Sequence, residues 1–110
     1  LTSVDAWVYS YPAIMTESQK ALQSALHAIA DPTRRRILQV LKKGSSGKHA
    51  GLCASDIEMK IRLSQPTISH HMAVLQKAGL VEARKEGLWR WYRRNETALK
   101  AFTRKLQRNL

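Results

Sequence analysis

Few residues of this 110-residue chain combine a reactive type with a spacing that lets them act together. The single cysteine, Cys53, and the four histidines, His27, His49, His70 and His71, are the candidates for metal ligation or nucleophilic chemistry. His49 lies near Cys53, yet no spacing among the five matches a metal-ligand pattern, and a soft-metal site normally needs two or more thiolates. There is no Gly-rich phosphate loop, no catalytic carboxylate pair and no His/Cys/Asp group at one location, so no enzyme is expected. The spacing that does carry chemistry is Ser64-Gln65-Pro66-Thr67-Ile68-Ser69-His70. On a helix advancing about 100° per residue, Ile68, Met72 and Leu75 share one face. Pro66, His70, Ala73 and Lys77 fall roughly opposite, with Thr67 and Ser69 on the flanks. The outward surface at the helix start is small, hydrogen-bonding and free of carboxylates. Such a surface suits the reading of base edges: Gln65 has the geometry for a bidentate contact to adenine, and Ser69 and His70 reach bases or phosphates. His71 lies closer to the core side and is expected to pack.

A reading helix needs elements that hold it. Upstream, Thr16 with Gln19 has the form of a capping box, followed by Leu22, Ala25, Leu26 and Ile29 as one apolar helical stripe. Asp31-Pro32 ends that helix and starts a second, because Asp is a good N-cap and Pro fits the first helical turn. The second helix turns Ile37, Leu38 and Leu41 inward and stops near Gly44, where Gly44-Ser45-Ser46-Gly47 reads as a flexible loop. Ser55 with Glu58 suggests another capping box and a short helix over 56–61. Ser64 then caps the reading helix across the turn Arg62-Leu63-Ser64, the pattern of a helix-turn-helix. Gly79 ends it with a left-handed stop. The apolar period then shifts to two, predicting strands over 80–86 and 89–94 joined around Glu86-Gly87-Leu88. Asn95 caps a last helix striped by Leu99, Phe102 and Leu106. The expected architecture is mainly α with a small β-hairpin, a winged helix-turn-helix of about five helices and a two-stranded wing. Residues 16–110 form the domain; residues 1–15, with alternating Trp7, Tyr9 and Tyr11, read as an N-terminal extension, either arm or short helix.

Charge narrows the partner. The formal net charge is +11, with a pI near 10.4, which points to a polyanion. Residues 1–31 are net −2, whereas residues 32–110 carry 18 Lys and Arg against five Asp and Glu, net +13. The grip on an anion therefore lies after residue 31. Arg84, Lys85 and Arg90 of the hairpin are candidates for phosphate contacts. Arg34-Arg35-Arg36 opens a helix whose dipole disfavours cations there, which suggests a solvated or nucleic-acid-facing run. Trp89 and Trp91 share a face and Tyr92 takes the other, with packing on the domain expected of at least one. A lone cysteine excludes an intrachain disulfide and suits a reducing compartment. The uncharged stretch 6–16 is 11 residues long, broken by Pro12 and preceded by no basic segment. A cytoplasmic location without membrane contact is expected.

Two runs carry a resemblance. Ala28-Ile-Ala-Asp-Pro-Thr-Arg-Arg-Arg-Ile-Leu and Leu63-Ser-Gln-Pro-Thr-Ile-Ser-His-His-Met-Ala-Val-Leu-Gln-Lys-Ala-Gly-Leu-Val closely resemble the ArsR family of bacterial winged-helix repressors. The resemblance spans about residues 20–106. It implies a homodimer bound to a two-fold symmetric operator in double-stranded DNA, with the first and last helices forming the interface; Leu22, Leu26, Leu99, Phe102 and Leu106 are the apolar residues of those helices. It also implies that Gln65, Pro66, Ser69 and His70 lie on the helix contacting DNA. Many members release DNA when metal binds a Leu-Cys-Val-Cys-Asp run. This chain has Leu52-Cys53-Ala54-Ser55-Asp56 there, and its last helix has no His and no Asp for the family's other metal site. No thiolate metal site and no cofactor are therefore expected, and any effector, ligand or protein, is unidentified. A metal-responsive repressor with a non-standard site and a small basic RNA-binding protein stay open as alternatives.

Overall fold

The computed structural model describes residues 15–44 and 51–110. Five helices and three short strands follow in the order α1 (Glu17–Ala30), α2 (Pro32–Gly44), β1 (Leu52–Cys53), α3 (Ala54–Ile61), α4 (Gln65–Lys77), β2 (Val81–Glu86), β3 (Trp89–Arg94) and α5 (Glu96–Arg108). The extension expected over residues 1–15 falls, but for Met15, outside the described residues, as does most of the loop after Gly44.

Each boundary has a local cause. Thr16 closes a complete capping box on α1: its Oγ1 accepts from Gln19 N at 3.1 Å, and Gln19 Oε1 accepts from Thr16 N at 2.9 Å. Such a cap stabilises a helix by about 1 kcal/mol. Gly79 stops α4 with φ +77°, while its N–H bonds Gln76 O at 2.9 Å and the Leu80 N–H reaches back to Leu75 O at 3.1 Å. That pair of bonds is the Schellman arrangement. Between β2 and β3 only Gly87 and Leu88 are unpaired, and Gly87 takes φ +59°, as the first position of a tight hairpin turn requires. Asn95 caps α5 through Oδ1, which accepts from Ala98 N at 3.0 Å.

Three details depart from expectation. The wing belongs to a three-stranded antiparallel sheet ordered β1-β3-β2, in which Leu52 pairs Tyr92 and Cys53 pairs Trp91. The extra strand approaches so closely that a Cβ on Gly51 (φ +142°) would lie 2.6 Å from Tyr92 O. The short third helix starts at Ala54 with Cys53 at the cap, and Asp56, in place of Glu58, reaches back to the Cys53 N–H at 3.3 Å. Pairing of Cys53 in β1 fixes that residue as the last extended one, so Ser55 is already helical. Finally, the turn into α4 passes through Arg62 in the left-handed region, φ 61° and ψ 43°, its N–H bonded to Glu58 O.

The core gathers one face of every helix. Ala25 and Ala28 come from α1, Ile37, Leu38 and Leu41 from α2, Ile57 from α3, and Ile68, Met72 and Leu75 from α4. Val81 and Tyr92 of the sheet and Phe102 of α5 close it. Thus Tyr92 is the wing aromatic that packs on the domain. No helix among the described residues is long and apolar enough to cross a membrane.

The α1–α2 junction is one residue long. Asp31 ends α1 in an extended conformation and caps α2 through Oδ1, which accepts from Thr33 N at 2.7 Å and Arg34 N at 3.3 Å. Partial burial pushes the carboxyl's pKa upward. The two N–H bonds, together with the charges of Arg34 and His71, outweigh that and hold it below the ordinary carboxylate value. A lowered folded pKa stabilises the fold above the unfolded value, and the contribution is lost as pH falls through the folded one. Asp31→Asn keeps a capping oxygen and removes only the charge. Thermal melts should place this variant below the parent at pH 7, with the gap closing progressively below about pH 4.

Candidate nucleic-acid interface

The reading helix presents the surface its sequence implies. Ser64, Gln65, Pro66, Thr67, Ser69 and His70 are all exposed, while Ile68, Met72 and Leu75 are buried beneath them. Ser64 Oγ lies 2.9 Å from Thr67 Oγ1 and makes no bond to a backbone N–H. The first turn of α4 thus keeps its N–H groups uncapped by a side chain, and it contains no acidic residue. A helix N-terminus of that composition favours a phosphate oxygen. At about 1.5 Å per residue, this 13-residue helix is roughly 20 Å long. Its width suits a major groove about 12 Å across.

The wing sorts its charges by face. Directly opposed residues of an antiparallel pair share a face, and faces alternate along each strand. Glu82 opposes Arg93, Arg84 opposes Trp91 and Glu86 opposes Trp89. On that face Arg93 Nη2 bonds Glu82 Oε2 at 2.8 Å, and Arg84 Nη2 lies 3.6 Å from Glu86 Oε1. The other face starts with buried Val81 and Tyr92 and runs out along the hairpin to Lys85, directly opposite Arg90. Both of these are exposed and, among the described residues, neither forms an ion pair. Two opposed like charges destabilise a sheet until an anion sits between them. Of the three wing cations expected at phosphates, the structure places Lys85 and Arg90 together and puts Arg84 on the opposite face beside a carboxylate. Leu88 at the tip and Trp89 are exposed. Trp91 is half-buried, opposite Cys53 in β1.

The arginine run behaves differently from its expectation. The last four carbonyls of α1 have no partner within the helix. Pro32 offers no N–H, and the Thr33 and Arg34 N–H groups are taken by Asp31. Arg34 Nε donates to Ala28 O at 2.6 Å and Nη2 to His27 O at 3.0 Å. Arg35 Nη1 donates to Ile29 O at 2.6 Å and to Ala30 O at 3.1 Å. Arg34, only 7% exposed, is thus no solvated surface charge, while Arg35 is exposed but directs its guanidinium to the helix end. The signal was present in the sequence: cations opening a helix become favourable when the carbonyl end of the preceding helix is one residue away.

Arg34 also reaches α4. Its Nη1 lies 3.2 Å from His71 Nδ1 and 3.9 Å from Asp31 Oδ2. Burial, opposed by Asp31 and reinforced by Arg34 and His70, keeps the His71 pKa below the ordinary imidazole value. His70 and His71 have ring centroids 5.7 Å apart at a tilt of 56°. One histidine therefore faces outward, while its neighbour is tied to the body of the domain.

The residues around Cys53 do not fit a soft metal. Its buried Sγ lies 3.0 Å from Asp56 Oδ2 and 3.1 Å from Ser55 Oγ. The donor set is one thiol, one hydroxyl and one carboxylate already bonded to one another. Among the described residues no three His, Cys, Asp or Glu side chains gather into a possible metal site, and His49 lies outside them.

The five residues implied at a dimer seam take two environments. Leu22 and Leu26 of α1, with Leu99 and Leu106 of α5, are half-buried, packed against the core edge. Phe102 is 9% exposed and belongs to the core of the single chain.

Comparison with known proteins agrees with this arrangement. The family described as bacterial regulatory protein, arsR family, matches residues 31–83. An uncharacterized HTH-type transcriptional regulator of Methanocaldococcus jannaschii is 42% identical over 78 residues, covering 71% of this chain and 81% of its own. The transcriptional repressor SdpR of Bacillus subtilis is 36% identical, covering 71% and 80%. Among solved structures, the homodimeric winged helix-turn-helix DNA-binding domain Mb0332 of Mycobacterium bovis superposes with a TM-score of 0.64 at 27% identity, over 76% of this chain and 73% of that one. By sequence and by fold, the chain belongs to the arsR family of bacterial transcriptional regulators.

Proposed function

We propose that this protein is a cytoplasmic, non-enzymatic repressor that binds a two-fold symmetric operator in double-stranded DNA as a homodimer. The observation that carries this reading is the exposed, carboxylate-free start of α4 beside a wing that presents Lys85 and Arg90 unpaired on one face. Gln65, Thr67, Ser69 and His70 choose the sequence from the major groove. Ser64, Pro66 and the first turn of α4 set its approach, and Lys85 and Arg90 hold phosphates. Base contacts specify and phosphate contacts position, so the two sets have separate signatures. The half-buried stripe Leu22, Leu26, Leu99 and Leu106 forms the seam between two copies. The homodimeric state of the Mycobacterium bovis domain supports that pairing. Repression follows from occupancy: a dimer covering two half-sites excludes other proteins from them.

Selection of bound duplexes from a random library tests the reading directly. The expected product is a pair of inverted half-sites centred about 10 base pairs apart or a multiple of that spacing. Recovery without symmetry, or a preference for RNA in parallel gel shifts, would overturn it. With the selected duplex, Gln65→Ala and His70→Ala should each cost about 1–3 kcal/mol and relax base preference at one position per half-site.

The wing gives a second test. Lys85→Ala and Arg90→Ala should weaken binding to all duplexes and flatten the salt slope by about one unit per half-site. Arg84→Ala should leave the slope near that of the parent, because its charge is already paired with Glu86. For the seam, Leu99→Glu should yield a folded monomer in sedimentation equilibrium; Phe102→Glu reports on the core instead.

A further inference from the structure

The contact between Arg34 and His71 joins the helix that reads DNA to the end of the helix assigned to the dimer seam. The guanidinium is anchored on α1 by the Ala28 and His27 carbonyls, at 2.6 and 3.0 Å. From that anchor Nη1 extends 3.2 Å to His71 Nδ1 on α4. Arginine only donates, so Nδ1 must be the accepting nitrogen and the imidazole proton must sit on Nε2. Protonated histidine has no acceptor. The bond therefore exists only with a neutral ring, and a charged ring would face a buried cation.

We propose that Arg34 is a positioning residue for the reading helix: it fixes the rotation of α4 through neutral His71, so tight duplex binding requires His71 uncharged. This rests on the DNA-binding reading given above. The charged and titratable groups facing the contact are few. Asp31 Oδ2 lies 3.9 Å from Arg34 Nη1, at the α1–α2 junction. His70 precedes His71 on α4. His27 of α1 is exposed and contributes its backbone carbonyl. Asp31 alone favours a charged ring; Arg34, His70 and burial oppose it. The ring thus stays neutral to lower pH than a free imidazole, and the contact holds at neutral pH. Because His71 lies one residue from His70, a change in the rotation of α4 about this contact moves the outward side chains directly.

The predicted sign is opposite to that of ordinary histidine effects on DNA binding. Protonation of an exposed histidine near phosphate strengthens binding, whereas protonation of His71 removes the anchor. If only the neutral form binds tightly, the apparent dissociation constant rises by the reciprocal of the neutral fraction, approaching about tenfold per pH unit below the His71 pKa.

The experiment measures affinity for the selected duplex by fluorescence anisotropy from pH 8 to pH 5.5 at constant ionic strength. It compares the parent with His71→Gln, His71→Leu and His70→Gln, each checked for folding by circular dichroism at every pH. The parent and His70→Gln should weaken progressively as pH falls. His71→Gln keeps an oxygen that accepts from Arg34 and cannot titrate, so its affinity should match the parent at pH 8 and lose the parent's weakening on acidification, leaving only the opposite, strengthening effect of His70. His71→Leu offers no acceptor, so α4 loses its anchor, and this variant should bind more weakly than His71→Gln at pH 8. Nitrogen-15 spectra of the DNA-free parent should show His71 with an unprotonated Nδ1. A parent that loses no affinity relative to His71→Gln as pH falls, or a protonated Nδ1 at pH 8, would overturn the inference. A parent that binds no duplex even at pH 8 would overturn the DNA-binding reading itself, and the inference with it.

Discussion

The structure turns on how α1 ends. Its last four carbonyls have no intrahelical donors, and one residue later the chain has already started α2 at a proline. Asp31 takes the N–H groups that begin α2, so none remains for the end of α1. Two guanidinium groups answer all four carbonyls: Arg34 those of His27 and Ala28, Arg35 those of Ile29 and Ala30. Burying a cation costs several kcal/mol when it is left unpaired. Here that cost is met by aligned carbonyl dipoles, an aspartate and an imidazole. The tight junction sets how α1 crosses α2, and the same arginine extends to α4. The carrier of the proposed seam and the carrier of the proposed reading surface are thus tied through one side chain.

Much of this arrangement is legible in the sequence because its causes are local. Thr16 with Gln19, Asp31-Pro32, Gly79 and Asn95 each act within four residues, and the structure bears out the role of each. The change of apolar period after Gly79 separates helix from strand for the same reason. What eluded the sequence depends on partners distant along the chain. A two-residue strand at Leu52–Cys53 has no periodicity of its own and exists only because β3 pairs with it, 40 residues away in the case of Tyr92 and Leu52. That pairing moves the cap of α3 from Ser55 to Cys53. Arg34 reads as surface charge until the carbonyl end of α1 and the ring of His71, 37 residues further on, are brought to it.

The candidate site divides along the same line. The exposure of Gln65, Thr67, Ser69 and His70 follows from helical angle alone, since the buried partners Ile68, Met72 and Leu75 fix the opposite face. Wing cations are harder to sort, because Arg84 and Lys85 are neighbours and equally basic. Only the strand register separates them, pairing Lys85 with Arg90 on the face that continues from Val81 and Tyr92. Sequence composition identifies a basic hairpin; pairing decides which of its charges remain available.

That distinction changes what the net charge means. A formal +11 suggests a chain coated in free cations. Yet Arg34 and Arg35 are spent on helix carbonyls, Arg94 on the Leu38 carbonyl and the Glu96 carboxylate, and Arg84 and Arg93 on wing carboxylates. The five acids after residue 31 are few, and three of them, Glu82, Glu86 and Glu96, stand beside wing-strand arginines. Neutralising these arginines confines the unpaired wing charge to Lys85 and Arg90. A uniformly basic surface would grip any duplex in many orientations. Engaging half of the arginines internally leaves fewer cations for phosphate, so in the proposed complex the uncharged hydrogen-bonding face of α4 contributes a larger share of the free energy. Selectivity on such a domain comes as much from the cations it withholds as from those it presents.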